Sequence, residues 1–180
     1  LTVDPGGPTR SYTMALRQRS TNSNDVPEDG SVAAAPVDEF VFTSEDLLIN
    51  DQLPAIDRVS RYCSAKMVLQ RVVHVAMLSD VGRDVGFEIM VERLVPLLPV
   101  LCEDAEWVVR KAVAREIAAI CSLCIAMGAG KGYAQVVDNL LPLLGKLAGD
   151  SHPDVRAEGA TALAGCAGLL KPEDLAVHLF

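Results

Sequence analysis

"LLPLLGKLAGDSHPDVRAEGATALAGCA", Leu140–Ala167, restates "LVPLLPVLCEDAEWVVRKAVAREIAAIC", Leu94–Cys121, at a shift of 46 positions and without a gap. Ten positions coincide. Leu94, Pro96, Leu97, Leu98 and Leu101 fall on Leu140, Pro142, Leu143, Leu144 and Leu147. Asp104, Val109, Arg110, Ala114 and Ala118 fall on Asp150, Val155, Arg156, Ala160 and Ala164. A fixed offset of this size marks stacked supersecondary units, each too small to bury its own apolar face.

Within each copy the apolar residues recur at three- and four-residue spacing, which predicts two helices joined by a short turn. Pro96 and Pro142 stand inside the first helix, where a missing N–H and a ring clash predict a kink. Asp104 and Asp150 stand at the turn, placed to accept from free N–H groups of the second helix. Arg110 and Arg156 lie one to two turns further on. A guanidinium there reaches a turn aspartate of its own or an adjacent copy, giving a ladder of charge-assisted bonds. Ala114, Ala118, Ala160, Ala164 and Gly165 are small enough for close helix contact.

Working outward, an earlier copy fits the same register at a shift of 39. Cys63 falls on Cys102, Arg71 on Arg110 and Val59 on Leu98, but Ala65 takes the place of Asp104. The hairpins are expected at about 52–82, 84–127 and 132–170, with Gly82 ending the first, "GAGKG" at 128–132 breaking the chain after the second, and a fourth starting at 172. Thr43 or Ser44 offers a cap for a short preceding helix. Residues 1–40, polar and without apolar period, are expected to be a disordered segment, and 41–180 the helical domain. Arg17, Arg19 and Ser20 have the look of a basic-directed kinase site, a pattern common by chance. The fold class is all-α, an armadillo-like α-solenoid.

Half of the 180 residues are hydrophobic, only 4% are aromatic, and the net charge is −8. Few aromatics favour packed helices over a sheet. The acidic balance argues against sequence-independent nucleic-acid binding, which needs a basic footprint. The N-terminus lacks the apolar core of a secretory signal, and charges interrupt every apolar run short of a membrane span. Five cysteines at apolar helical positions read as core residues of a reducing compartment. The chain begins with Leu and ends as a helix starts, so it reads as part of a longer protein.

The stretch with an internal proline, a turn aspartate and a Val-Arg pair resembles a HEAT repeat, and the resemblance covers roughly residues 50–171. More narrowly, "LPAIDRVSRYCSAKMVLQRVVHVAML" leading into the second copy is similar to the helical-repeat scaffold or regulatory subunits of type 2A-like Ser/Thr protein phosphatases. That resemblance implies a non-catalytic subunit that binds a phosphatase catalytic subunit, in the cytoplasm with the nucleus also open. A HEAT-repeat adaptor of nuclear transport or vesicle coats is the alternative; it should expose apolar grooves between outer helices.

In such scaffolds the turns within repeats hold the partner. The candidate protein-binding residues are therefore Glu103, Asp104, Glu106 and Trp107 in one turn and Asp150, His152 and Asp154 in the next. Trp107, the only Trp, is either an interface anchor or packed under the neighbouring turn. Arg110 and Arg156 are assigned to the structural ladder. Lys111 and Arg115 extend Arg110 into a basic stripe, read as a solvated face. Cys121 and Cys124 form a lone C-x-x-C with no second ligand pair, so no metal is expected. "GAGKG" lacks phosphate-loop spacing. His74, His152 and His178 show no ligand spacing. No cofactor and no catalysis are expected.

Overall fold

The computed structural model describes residues 43–174. The disordered segment expected over 1–40, and His178 and the rest of a fourth hairpin, lie outside the described residues. Among those described there are helices and no strands.

α1 (Ser44–Leu47) is one turn closed by a capping exchange. The Thr43 N–H donates to Asp46 Oδ2 at 3.0 Å, and the Asp46 N–H donates to Thr43 Oγ1 at 3.3 Å. α2 (Ala55–Tyr62) and α3 (Val68–Val75) form the first hairpin. The chain breaks at Ala76 and Met77 and resumes as α4 (Leu78–Val85). Gly82 does not stop this helix. It lies buried inside it, where a Cβ would stand 2.8 Å from Met90 Sδ. The stop is Gly86, at φ 85°, a conformation glycine adopts without steric cost.

The first helix of copy two is composite: α5 (Phe87–Ile89), a π turn (Met90–Leu94), a 3-10 turn (Val95–Leu97) and α6 (Leu98–Leu101). The Val95 N–H reaches back to the Met90 carbonyl. Copy three repeats the device: a π turn (Val136–Leu140), closed by the Leu141 N–H on the Val136 carbonyl, leads into α8 (Leu141–Ala148). Both widened turns sit just ahead of the shared proline. Its ring crowds the carbonyl four residues back, and a π turn relieves that crowding.

α7 (Trp107–Gln135) is interrupted at Ala129, with φ 46° and ψ −129°. α9 (Pro153–Ala167) closes copy three. α7 packs on α3 and α4 on one side and on α8 and α9 on the other. Val109, Val113, Ala114, Ile117, Ile120, Cys121 and Cys124 line its buried face without solvent exposure. Their three- and four-residue spacing is the helical period, and each large member contributes about 1.5–3 kcal/mol by leaving water. By length and composition alone the run 107–148 matches a membrane span; its buried face is occupied by the core.

Ala129 carries backbone strain that a Cβ makes worse. Ala129→Gly is expected to raise stability by about 1 kcal/mol, since relief of about 1–3 kcal/mol outweighs a glycine entropy cost of about 0.5–1. Thermal unfolding of the two chains checks the sign.

Candidate protein-binding surface

The turn aspartates sit on a ladder that runs forward along the chain. Arg71 Nε and Nη2 donate to Asp104 Oδ2 and Oδ1 at 2.7 and 2.9 Å. Arg110 makes the same fork on Asp150, at 2.7 and 2.9 Å. Each arginine's Nη1 is tied to carbonyls of its own turn: Ala65 and Lys66, then Asp104 and Ala105, then Asp150 and Ser151 for Arg156. Each aspartate also accepts the N–H two residues on, from Glu106 and from His152. The carboxylates therefore order the turn ahead of the helix and join it to the preceding copy. The Arg110 hydrogen bond, foremost, holds the Asp150 carboxyl down at about 2.

Asp104 and Asp150 are mostly buried beneath these forks, with 10% and 9% side-chain exposure. Glu106 and Asp154 are exposed. Trp107 is half-buried, and its ring stacks on His152 with centroids 4.1 Å apart and planes 5° from parallel. His152 Nδ1 accepts the Asp154 N–H at 3.3 Å. The predicted residues thus lie along two adjacent turns joined by a ring stack and an ion-pair fork. Trp107 packs against the neighbouring turn but is only half-buried, so the stack does not decide between its two sequence readings.

The basic stripe on α7 is solvated, Arg115 being 67% and Lys111 36% exposed, and it also bridges to α9. Lys111 pairs with Asp154 at 3.7 Å and Arg115 with Glu158 at 3.0 Å, so it seams α7 to α9. Lys146 reaches back to Glu103, and Lys131 to Glu88. All four pairs join residues 43 apart. This constant separation of opposite charges was present in the sequence as a signal and points to neighbouring copies.

The Lys146–Glu103 bridge straps copy three to copy two. In the repeat register the corresponding positions between copies one and two are Val100 and Ser64, which cannot pair. A cleft of about 380 Å3 opens there, with the Arg71–Asp104 fork in its wall.

One buried acid was not legible in the sequence. Glu116, 7% exposed, accepts the Ser79 N–H at 3.0 Å, at the start of α4. Burial pushes its carboxyl up, while the helix N-terminus and that hydrogen bond favour the charge. It is an inter-helix cap. His74 is also buried, its Nδ1 2.7 Å from the Gln70 carbonyl oxygen. All five cysteines are buried free thiols. Burial drives Cys63 and Cys102 up to about 12 and Cys124 to about 11, so none of these three is a thiolate at neutral pH. Among the described residues no group of His, Cys, Asp and Glu could hold a metal ion.

Compared with known proteins, the chain matches no protein-family model and no curated protein sequence.

Proposed function

We propose that this chain is a piece of a HEAT-type α-solenoid and acts as a non-catalytic scaffold. The observation that carries this reading is the repeated fork: Arg71 on Asp104 and Arg110 on Asp150, with the same atoms at the same distances. Such a ladder sets copies in a fixed rotation and aligns their turns along one edge, the arrangement by which repeat proteins present long binding surfaces.

The partner proposed is a type 2A-like Ser/Thr phosphatase catalytic subunit, on the strength of the sequence resemblance. Within that class the resemblance is to the regulatory subunit 1 of protein phosphatase 4. The scaffold would hold the catalytic subunit on the turns around Glu106, Trp107 and Asp154 and so steer which substrates reach it. The work would be done in the cytoplasm, and in the nucleus where the phosphatase is found there.

A second reading, an adaptor for transport or coat machinery, is favoured by a different observation: apolar clefts of about 380 and 310 Å3 beside the first helix of copy two. The test is capture of a purified type 2A-like catalytic subunit by the full 180-residue chain. Retention is expected, weakened about tenfold or more by Trp107→Ala, the loss typical of an aromatic anchor. Glu106→Lys, at an exposed position, separates lost contact from lost folding. A folded chain that retains no catalytic subunit overturns the phosphatase reading and leaves the adaptor.

A further inference from the structure

Copy one departs from the repeat at three core positions. The register that sets Arg71 on Arg110 sets Tyr62 on Leu101, Gln70 on Val109 and His74 on Val113. Copy three has Leu147, Val155 and Gly159 there. The three residues of copy one are as buried as apolar core, with 6%, 7% and 2% exposure. Burying a polar side chain costs free energy unless it finds hydrogen-bond partners.

The partners are backbone groups of one segment, 46–50. Gln70 Nε2 donates to the Asp46 carbonyl at 2.9 Å. The Tyr62 hydroxyl donates to the Leu48 carbonyl at 3.3 Å and accepts the Asn50 N–H at 2.6 Å. His74 supports both: its ring lies on that of Tyr62, with centroids 4.8 Å apart, and its Nδ1 is 2.7 Å from the Gln70 carbonyl oxygen. The segment is therefore held by its backbone, while its apolar side chains Leu47, Leu48 and Ile49 stay exposed.

The register also fixes where the segment lies. Val100, Leu101 and Asp104 of copy two line the cleft toward copy one, shared with Cys63, Ser64 and Arg71. Their counterparts Arg61, Tyr62 and Ala65 line a matching hollow, shared with Asp46. The segment thus stands on the side where a preceding copy would stack. The ion pair there is reversed. Between copies, an arginine of the earlier copy clamps an aspartate of the later turn. Here Ala65 replaces that aspartate, and the turn supplies the base instead: Lys66 Nζ is 3.2 Å from Asp46 Oδ2. A preceding arginine would find no carboxylate at Ala65, and a lysine beside it.

The opposite edge is built differently. Arg156 Nη1 holds the carbonyls of Asp150 and Ser151, as its ladder counterparts hold theirs. Its Nε and Nη2, the atoms that Arg71 and Arg110 fork on an aspartate, have no partner among the described residues.

We propose that segment 46–50 is a capping strap. It takes the place of a preceding copy and closes that edge of the stack to a further hairpin, the last edge of a second copy of this chain included. Terminal units of repeat proteins need such an atypical, polar finish. The inference rests on the repeat register and not on the phosphatase assignment.

The first test is amide hydrogen exchange of the full chain by NMR. Tyr62→Phe removes the hydroxyl and keeps the ring. Gln70→Leu removes the amide at similar volume. Each is expected to speed exchange at Asn50 about fivefold, the effect of one lost hydrogen bond, and to leave α9 unchanged. Gln70 bonds Asp46 and not Asn50, so its effect at Asn50 reads the segment lifting as a unit. The second test is sedimentation. Tyr62→Leu with Ala65→Asp and Gln70→Val writes the copy-two wall into copy one. Asn50 is then expected to exchange as an unstructured amide. The chain is expected to gain concentration-dependent association beyond that of the unaltered chain, and Arg156→Ala is expected to remove the gain. The proposal is overturned if Gln70→Leu leaves Asn50 exchange unchanged, or if the rewritten chain sediments as the unaltered one does. Failure to capture a phosphatase leaves both readouts unaffected.

Discussion

Gly132→Ala is expected to lower the unfolding free energy by about 3 kcal/mol, at the upper end of the usual overpacking range. A Cβ at Gly132 would overlap the Cys124 carbonyl oxygen and stand 2.6 Å from its carbon. Both are backbone atoms, so no rotamer change can make room. After the break at Ala129, the chain doubles back against its own preceding turn, and only glycine permits that approach. The two halves must separate, and the apolar contacts of Val136 and Leu140 with the core loosen with them. Gly130→Ala is the control, since its Cβ would meet nothing within 4 Å. Urea unfolding monitored by circular dichroism reads both variants. Equal midpoints would show that the return is looser than this overlap with Cys124 requires.

Arg110→Ala is expected to cost about 3–5 kcal/mol, the effect of leaving a buried charge without its partner. Asp150 loses both bonds of the fork and keeps the His152 N–H and the Ser151 hydroxyl. Arg156→Ala removes the same residue one copy later. Arg156 is exposed and, among the described residues, bonded only to the carbonyls of Asp150 and Ser151, so about 1 kcal/mol is expected there. The ratio between the two variants separates the ladder from a general effect of losing arginine. The pH dependence supplies a second readout. Asp150 is depressed from 3.8 to about 2 in the folded chain. Its contribution, about 2 kcal/mol, is complete above the unfolded value and is lost as pH falls from about 4 through about 2. In Arg110→Ala that acid limb should shrink. An unchanged acid limb would mean that Asp150 is held down by the turn N–H rather than by the guanidinium.

Much of the helical register was legible because its causes are local. Apolar spacing placed the buried face of α7, and the shared prolines placed a distortion at the same point of two copies. The turn aspartate and the following arginine named the partners of the ladder. The sequence left open whether Arg110 reaches its own aspartate or the next one. Trp107 was equally open between an anchor and a packed ring.

Other features depend on approach distances that one strand of text does not contain. Gly82 and Gly86 are both glycines near a helix end. Only the packing of Met90 shows that the first is needed for contact and the second for a left-handed turn. Glu116 has the sequence context of a surface charge, and it is buried because α4 begins against it with a free N–H. The open cleft beside Val100 follows from two residues 36 positions apart, Ser64 and Val100, neither of which is unusual alone. The sequence by itself determined the helical class, the repeat and the ladder residues, because periodicity and charge spacing are written along the chain. The tertiary structure decided which copy each arginine clamps, which turns stack and where the surface stays open, because those depend on distances between segments that only packing sets.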